Sequence, residues 1–178
     1  MIDRDKLYES WMIDGSYFNQ MLDCGHYYNQ WVQSALEYLP EAVLDEYKEG
    51  LVFISTAQRD GCRVARSYCE NREVILLSER VLPKRGANEG QPEVRYFIYV
   101  VLHEVAHAIR KHKSPKFDNL TEQENQAQEN EADAMAMEWF NEHVKARNNQ
   151  FLKPISKEEV EEAEKKNIAL MESLYAGV

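Results

Sequence analysis

Three of the five histidines in this 178-residue chain lie in "VVLHEVAHAIRKH", Val100 to His112, the first two four residues apart with a glutamate directly after the first. Imidazole is the commonest protein ligand for a transition metal, and an i, i+4 pair on a helix sets two rings about 40° apart on one face. His103 and His107 are therefore candidate metal ligands able to share one ion. Glu104 stands about 100° round from His103 and about 60° from His107, so it flanks the pair without competing for the ion. A carboxylate so placed suits general-base work on a metal-bound water. Val94, Ile98, Val101, Leu102, Val105, Ala108 and Ile109 cluster on the side away from the histidines. The helix is expected to pack that side inward and turn the histidines to a cleft.

A catalytic zinc normally takes three protein ligands and keeps one position open. A metzincin would carry a third His six residues after the second, with an intervening Gly. Here position 113 is Lys113, position 110 is Arg110, and His112 falls one residue early. Downstream, "TEQENQAQENEADAMAMEWF" offers Glu122, Glu124, Glu129, Glu131 and Glu138, and the helical face discriminates among them. Ala132, Asp133, Ala136, Met137, Trp139, Phe140 and Val144 share the side of Glu129, the apolar side that must meet the rest of the domain. Glu124, Glu131, Glu138 and Glu142 fall on the opposite, solvated side. Glu122 shares the inner face but lies in the first turn, where an acid complements the helix dipole, and is the second candidate. Asp133, one turn after Glu129, is placed to accept a hydrogen bond from a ligating imidazole and orient it.

"HEVAH" followed by "ENEAD", an E-x-x-x-D on a helix, resembles the gluzincin metallopeptidases, and "ENEADAMAMEWF" is similar to the signature of small ImmA/IrrE-type peptidases. The resemblance covers about Val100 to Phe140. It implies a zinc-dependent metallopeptidase acting on a peptide or protein substrate. His103, His107 and Glu129 would be the Zn2+ ligands, Glu104 the general base and Asp133 the residue behind the ligands. It also implies an α+β, zincin-like fold: a small sheet packed with an active-site helix and a second, ligand-bearing helix.

The elements around the motif follow from periodicity and punctuation. Helical spacing runs from Ser16 to Leu39 and stops at Pro40, and a short helical piece follows at Glu41 to Lys48. "LVFISTA", "CRVARSYC" and "REVILLS" read as three strands of an antiparallel sheet, the last a candidate edge strand that would align an extended peptide. Leu82 to Glu93, with two Pro and two Gly, reads as a loop. A helix is expected from about Glu93 to His112, and Thr121 with Glu124 forms a capping box for a second one reaching about Arg147. Ser156 with Glu159 forms another box, opening a last, charged helix. Residues 1–153 are expected to form the metallopeptidase domain with its helical N-terminal part, and 154–178 a C-terminal helical extension.

Composition bounds the setting. A formal charge of −10 argues against a nucleic-acid or anionic-membrane surface. Three cysteines and an N-terminus without an apolar signal region point to a cytoplasmic protein without structural disulfides. Two rivals stand beside the peptidase reading: a non-catalytic zincin scaffold that binds a partner protein, and a deformylase-like hydrolase in which Cys62 completes the metal site. Tyr96, Tyr99 and His143 read as packing residues, as do Cys24 and His26 in "CGHYYNQW".

Overall fold

The computed structural model describes residues 12–14, 25–46, 51–56, 62–64, 73–84, 86–115 and 118–175. In chain order these form β1 (Met12–Asp14), α1 (Gly25–Leu36), α2 (Glu41–Glu46), β2 (Leu51–Thr56), β3 (Cys62–Val64), β4 (Glu73–Ser78), a 3-10 turn (Glu79–Val81), α3 (Pro92–Arg110), α4 (Glu122–Arg147) and α5 (Lys157–Tyr175). The expected α+β mixture is present. The start of the first expected helix, residues 16–24, lies outside the described residues.

The sheet differs from the expected antiparallel meander of three strands. Four strands lie in the order β1-β2-β4-β3, with β1, β2 and β4 mutually parallel and only β3 antiparallel to β4. The last strand in sequence thus sits between the two that precede it. Its side chains explain why: Val74, Ile75 and Leu77 are all buried, and a strand apolar on both faces gains most in the middle of a sheet. Three-residue β3 takes the edge, where a very short strand resists unwanted pairing. "REVILLS" is therefore not an edge strand; β3 covers that side of it.

Helix α3 runs through the middle of the molecule, touching α1, β3, β4, α4 and α5. Val94, Phe97, Ile98, Val101, Leu102 and Val105 are fully buried and join Leu36, Phe53, Ile75, Ala136 and Phe140 in one core. At about 1.5–3 kcal/mol for each large apolar side chain buried, this helix is the main anchor of the fold. The helix stops two residues before the expected end. Lys111 adopts the left-handed conformation (φ 55°, ψ 38°), its N–H bonds to Ala108 O, and the N–H of His112 bonds to His107 O at 3.0 Å. This is the paired-bond ending usually built around glycine.

Helix α4 starts as its sequence requires. Thr121 Oγ1 accepts from the Glu124 N–H at 3.2 Å, and Glu124 Oε2 accepts from the Thr121 N–H at 2.9 Å. The second expected capping box is only half present. Ser156 Oγ accepts from the Glu159 N–H, but the Glu159 carboxylate turns to Arg95 on α3, at 2.7 and 2.8 Å. Arg95 is only 5% exposed, also donates to the carbonyls of Lys153 and Pro154, and lies over the Phe140 ring. The start of α5 is thereby fastened to α3, and Ile155 and Val160 belong to the common core. No helix among the described residues is long and apolar enough to cross a membrane.

Candidate metal centre

His103 and His107 leave α3 on the face turned toward α4, where Glu129 faces them. The two Nε2 atoms are 2.9 Å apart, and Glu129 Oε2 lies 3.4 Å from one and 3.6 Å from the other. Zinc bonds of about 2.0–2.2 Å at tetrahedral angles separate neighbouring ligand atoms by about 3.3–3.6 Å; both separations from Glu129 fall in that range, and the two Nε2 atoms stand closer together than it. Among the described residues, this is the group of His, Cys, Asp and Glu able to hold an ion. Two imidazole lone pairs and a carboxylate oxygen aimed at one another repel unless a proton or a metal cation lies between them. Two imidazoles and one carboxylate also form a donor set that suits zinc, so the residues fit the metal expected from the sequence.

Charge follows from that crowding. Burial opposes protonation of His103, but the carboxylates of Asp133 and Glu129 beside it prevail and raise its pKa to about 10. The two histidines hold the Glu129 carboxyl well below the ordinary carboxylate range, against the effect of its own partial burial. Glu129 stays 38% exposed, so the centre opens on one side to solvent.

Behind the donors lies a second layer of contacts. Asp133 Oδ1 is 2.9 Å from His103 Nδ1, and the Tyr99 hydroxyl donates to that same oxygen. The approach of Nδ1 to Asp133 lies outside in-line hydrogen-bond geometry, so it acts chiefly as a close electrostatic contact. Burial would raise the Asp133 pKa, but His103 and Tyr99 bring it below its usual value. Burial above all, with the hydrogen bond to Asp133, pushes the Tyr99 hydroxyl far up, so it stays a donor. Behind His107 stands His112, 7% exposed, its Nδ1 2.9 Å from His107 Nδ1 and its Nε2 3.2 Å from Glu131 Oε2. Burial holds the His112 pKa below that of a free imidazole. Arg110 Nε in turn lies 2.9 Å from Glu131 Oε1.

The structure thus brings His103, His107, Glu129 and Asp133 together. Glu104 lies half-buried on α3, outside the three-donor group. Glu122, the second candidate for third ligand, is exposed in the first turn of α4 and takes no part in the group. Glu124 is engaged in the capping box, and Glu131 faces His112 rather than water alone. Tyr99, read as packing, has a polar role through Asp133 as well. His143 stacks on Tyr38 at 3.9 Å between ring centroids, fourteen residues and so about 20 Å along α4 from Glu129. Cys62 lies on β3 opposite Leu76. His112 was set aside in the sequence because it falls one residue early for a metzincin ligand, and an uninterrupted helix would carry it about 140° away from His107. Only the left-handed turn at Lys111 brings it back.

The family model Peptidase U49 matches residues 96–171, from the middle of the first turns of α3 to near the end of α5. No curated protein and no solved structure matches the chain. The family match supports a peptidase, and the matched segment contains all three donors of the candidate centre.

Proposed function

We propose that the protein is a zinc-dependent metallopeptidase of the gluzincin kind, with a zincin-like arrangement of its active helix and ligand-bearing helix. The observation that carries this reading is the convergence of His103 Nε2, His107 Nε2 and Glu129 Oε2 from two helices, within a segment matched by a peptidase family. Held by these donors, zinc would polarise a peptide carbonyl and bring the pKa of a water from 15.7 to around 7. Glu104, following His103 directly, serves as general base: its carboxylate takes a proton from the attacking water and delivers it to the departing amine nitrogen. Asp133 and Tyr99 keep the His103 ring turned so that Nε2 faces Glu129. The substrate is a peptide or protein, and of the two outer strands among the described residues, β1 and β3, β3 touches α3 and is the candidate to align it in extended form.

The test is Glu104→Gln. The variant is expected to retain zinc at the wild-type stoichiometry of about one per chain and to lose hydrolysis by about 10²–10⁴-fold. The substrate is to be found by capture on zinc-loaded Glu104→Gln and then offered to wild type. A captured protein that wild type leaves intact would replace this reading with that of a partner-binding scaffold. Activity on formyl-peptides abolished by Cys62→Ala would replace it with the deformylase-like one. Protein that neither contains nor takes up zinc would remove the metal from both.

A further inference from the structure

The tautomers around His107 can be worked out from the outermost group inward. Glu131 is an exposed carboxylate already paired with the Arg110 guanidinium, so its oxygens face His112 as acceptors. His112 Nε2, 3.2 Å from it, must then carry the hydrogen. A neutral imidazole protonated on Nε2 has a lone pair on Nδ1. At 2.9 Å from that lone pair, His107 Nδ1 must be the donor. His107 is left with its own lone pair on Nε2, the atom 2.9 Å from His103 Nε2 and 3.6 Å from Glu129 Oε2.

Main chain and side chains together hold His112 in that place. The left-handed Lys111 reverses the chain, and the His112 N–H then bonds to the carbonyl of His107 itself, so the two residues are joined through main chain and rings alike. Gln128, one residue before Glu129, grips the next residue on both sides: its Oε1 accepts from the Lys113 N–H at 2.8 Å and its Nε2 donates to Lys113 O at 3.2 Å. A lysine in a conformation that favours glycine is strained, and the surrounding contacts must offset that strain.

We infer that His112, steadied by Glu131, is a positioning residue for the metal centre: it fixes His107 as the tautomer and ring orientation that presents Nε2 to the ion. The inference rests on the zinc reading above for its consequence, but the tautomer it assigns to His107 holds in the metal-free protein too.

The experiment measures two quantities on wild type and on His112→Phe, His112→Asn, Glu131→Ala and Glu131→Gln. The first is zinc affinity by competition with a chelator, together with the visible spectrum of the Co2+-substituted protein. Groups behind a ligating histidine typically contribute about 10–100-fold in affinity. His112→Phe is expected to lose affinity in that range and to alter the Co2+ spectrum, while His112→Asn, whose Oδ1 can accept from His107 Nδ1, regains most of it. Glu131→Ala, at an exposed position where folding is not at risk, should show a smaller loss of the same sign. Glu131→Gln, which keeps an acceptor, should stay near wild type. The second quantity is the protonation of His107 by ¹⁵N NMR of the metal-free chains. It is expected on Nδ1 in wild type and His112→Asn, and to shift away from Nδ1 in His112→Phe. Wild-type affinity in both His112→Phe and Glu131→Ala overturns the inference, as does equal loss in His112→Phe and His112→Asn. A wild type with His107 protonated on Nε2 overturns it whether or not zinc binds, whereas a chain that binds no zinc yet shows the assigned tautomer sinks only the zinc reading.

Discussion

Glu129 and Glu131 differ by two positions on one helix and by about 160° round it, which places one carboxylate toward the two Nε2 atoms and the other toward His112 and Arg110. Removing the charge of Glu129 deletes a donor, whereas removing that of Glu131 leaves the donor set whole. Glu129→Gln is therefore expected to weaken zinc binding by at least 100-fold and Glu131→Gln by little, measured by chelator competition; a reversal would mean that α4 is turned the other way in solution. Replacing either His103 or His107 by Ala is expected to abolish stoichiometric zinc in elemental analysis, because two donors no longer make a site.

At the scale of elements, the centre depends on two helices being started and stopped at the right residues. The Thr121–Glu124 box sets the first turn of α4 two turns before Glu129, so Thr121→Ala is expected to cost about 1 kcal/mol, read from a denaturant midpoint shifted without a change of slope. The pairing of α5 with α3 is a larger contribution. Arg95 is buried, and Glu159→Ala would leave its guanidinium without a counter-charge, at an expected cost of about 2–3 kcal/mol because Glu159 is itself one-third exposed. Glu159→Gln should cost less, since its side-chain oxygen still accepts from Arg95. If both variants unfold at the wild-type midpoint, the salt bridge does not fasten the helix.

The described residues are organised around α3, whose inner face is the core and whose outer face carries the candidate metal centre. Residues 154–178, set apart in the sequence by Pro154 and a charged run, supply Ile155 and Val160 to the core and two of the groups that satisfy Arg95. The family match likewise runs on through most of α5. A chain ending at residue 153 is accordingly expected to lose its cooperative thermal transition and to bind a hydrophobic dye; a soluble truncated chain with a sharp transition and full zinc content would instead make 154–178 a separable extension.

The sequence alone was enough to single out the candidate donors, which the structure brings together. Helical period relates His103 to His107 and sorts Glu129 and Asp133 from the other acids of α4, because within one helix 100° per residue leaves no freedom. Local chemistry determined the Thr121 cap in the same way. What the tertiary structure decided were relations between segments whose geometry no period describes. β4 entered the middle of the sheet because its apolar faces need cover on both sides, a competition among strands that short linkers do not reveal. Glu159 left its expected cap for Arg95, because a buried guanidinium needs a carboxylate more than an exposed backbone N–H does. His112 reached His107 because a single left-handed residue broke the helical period, and only the contacts around Lys111 to Lys113 make that conformation the stable one.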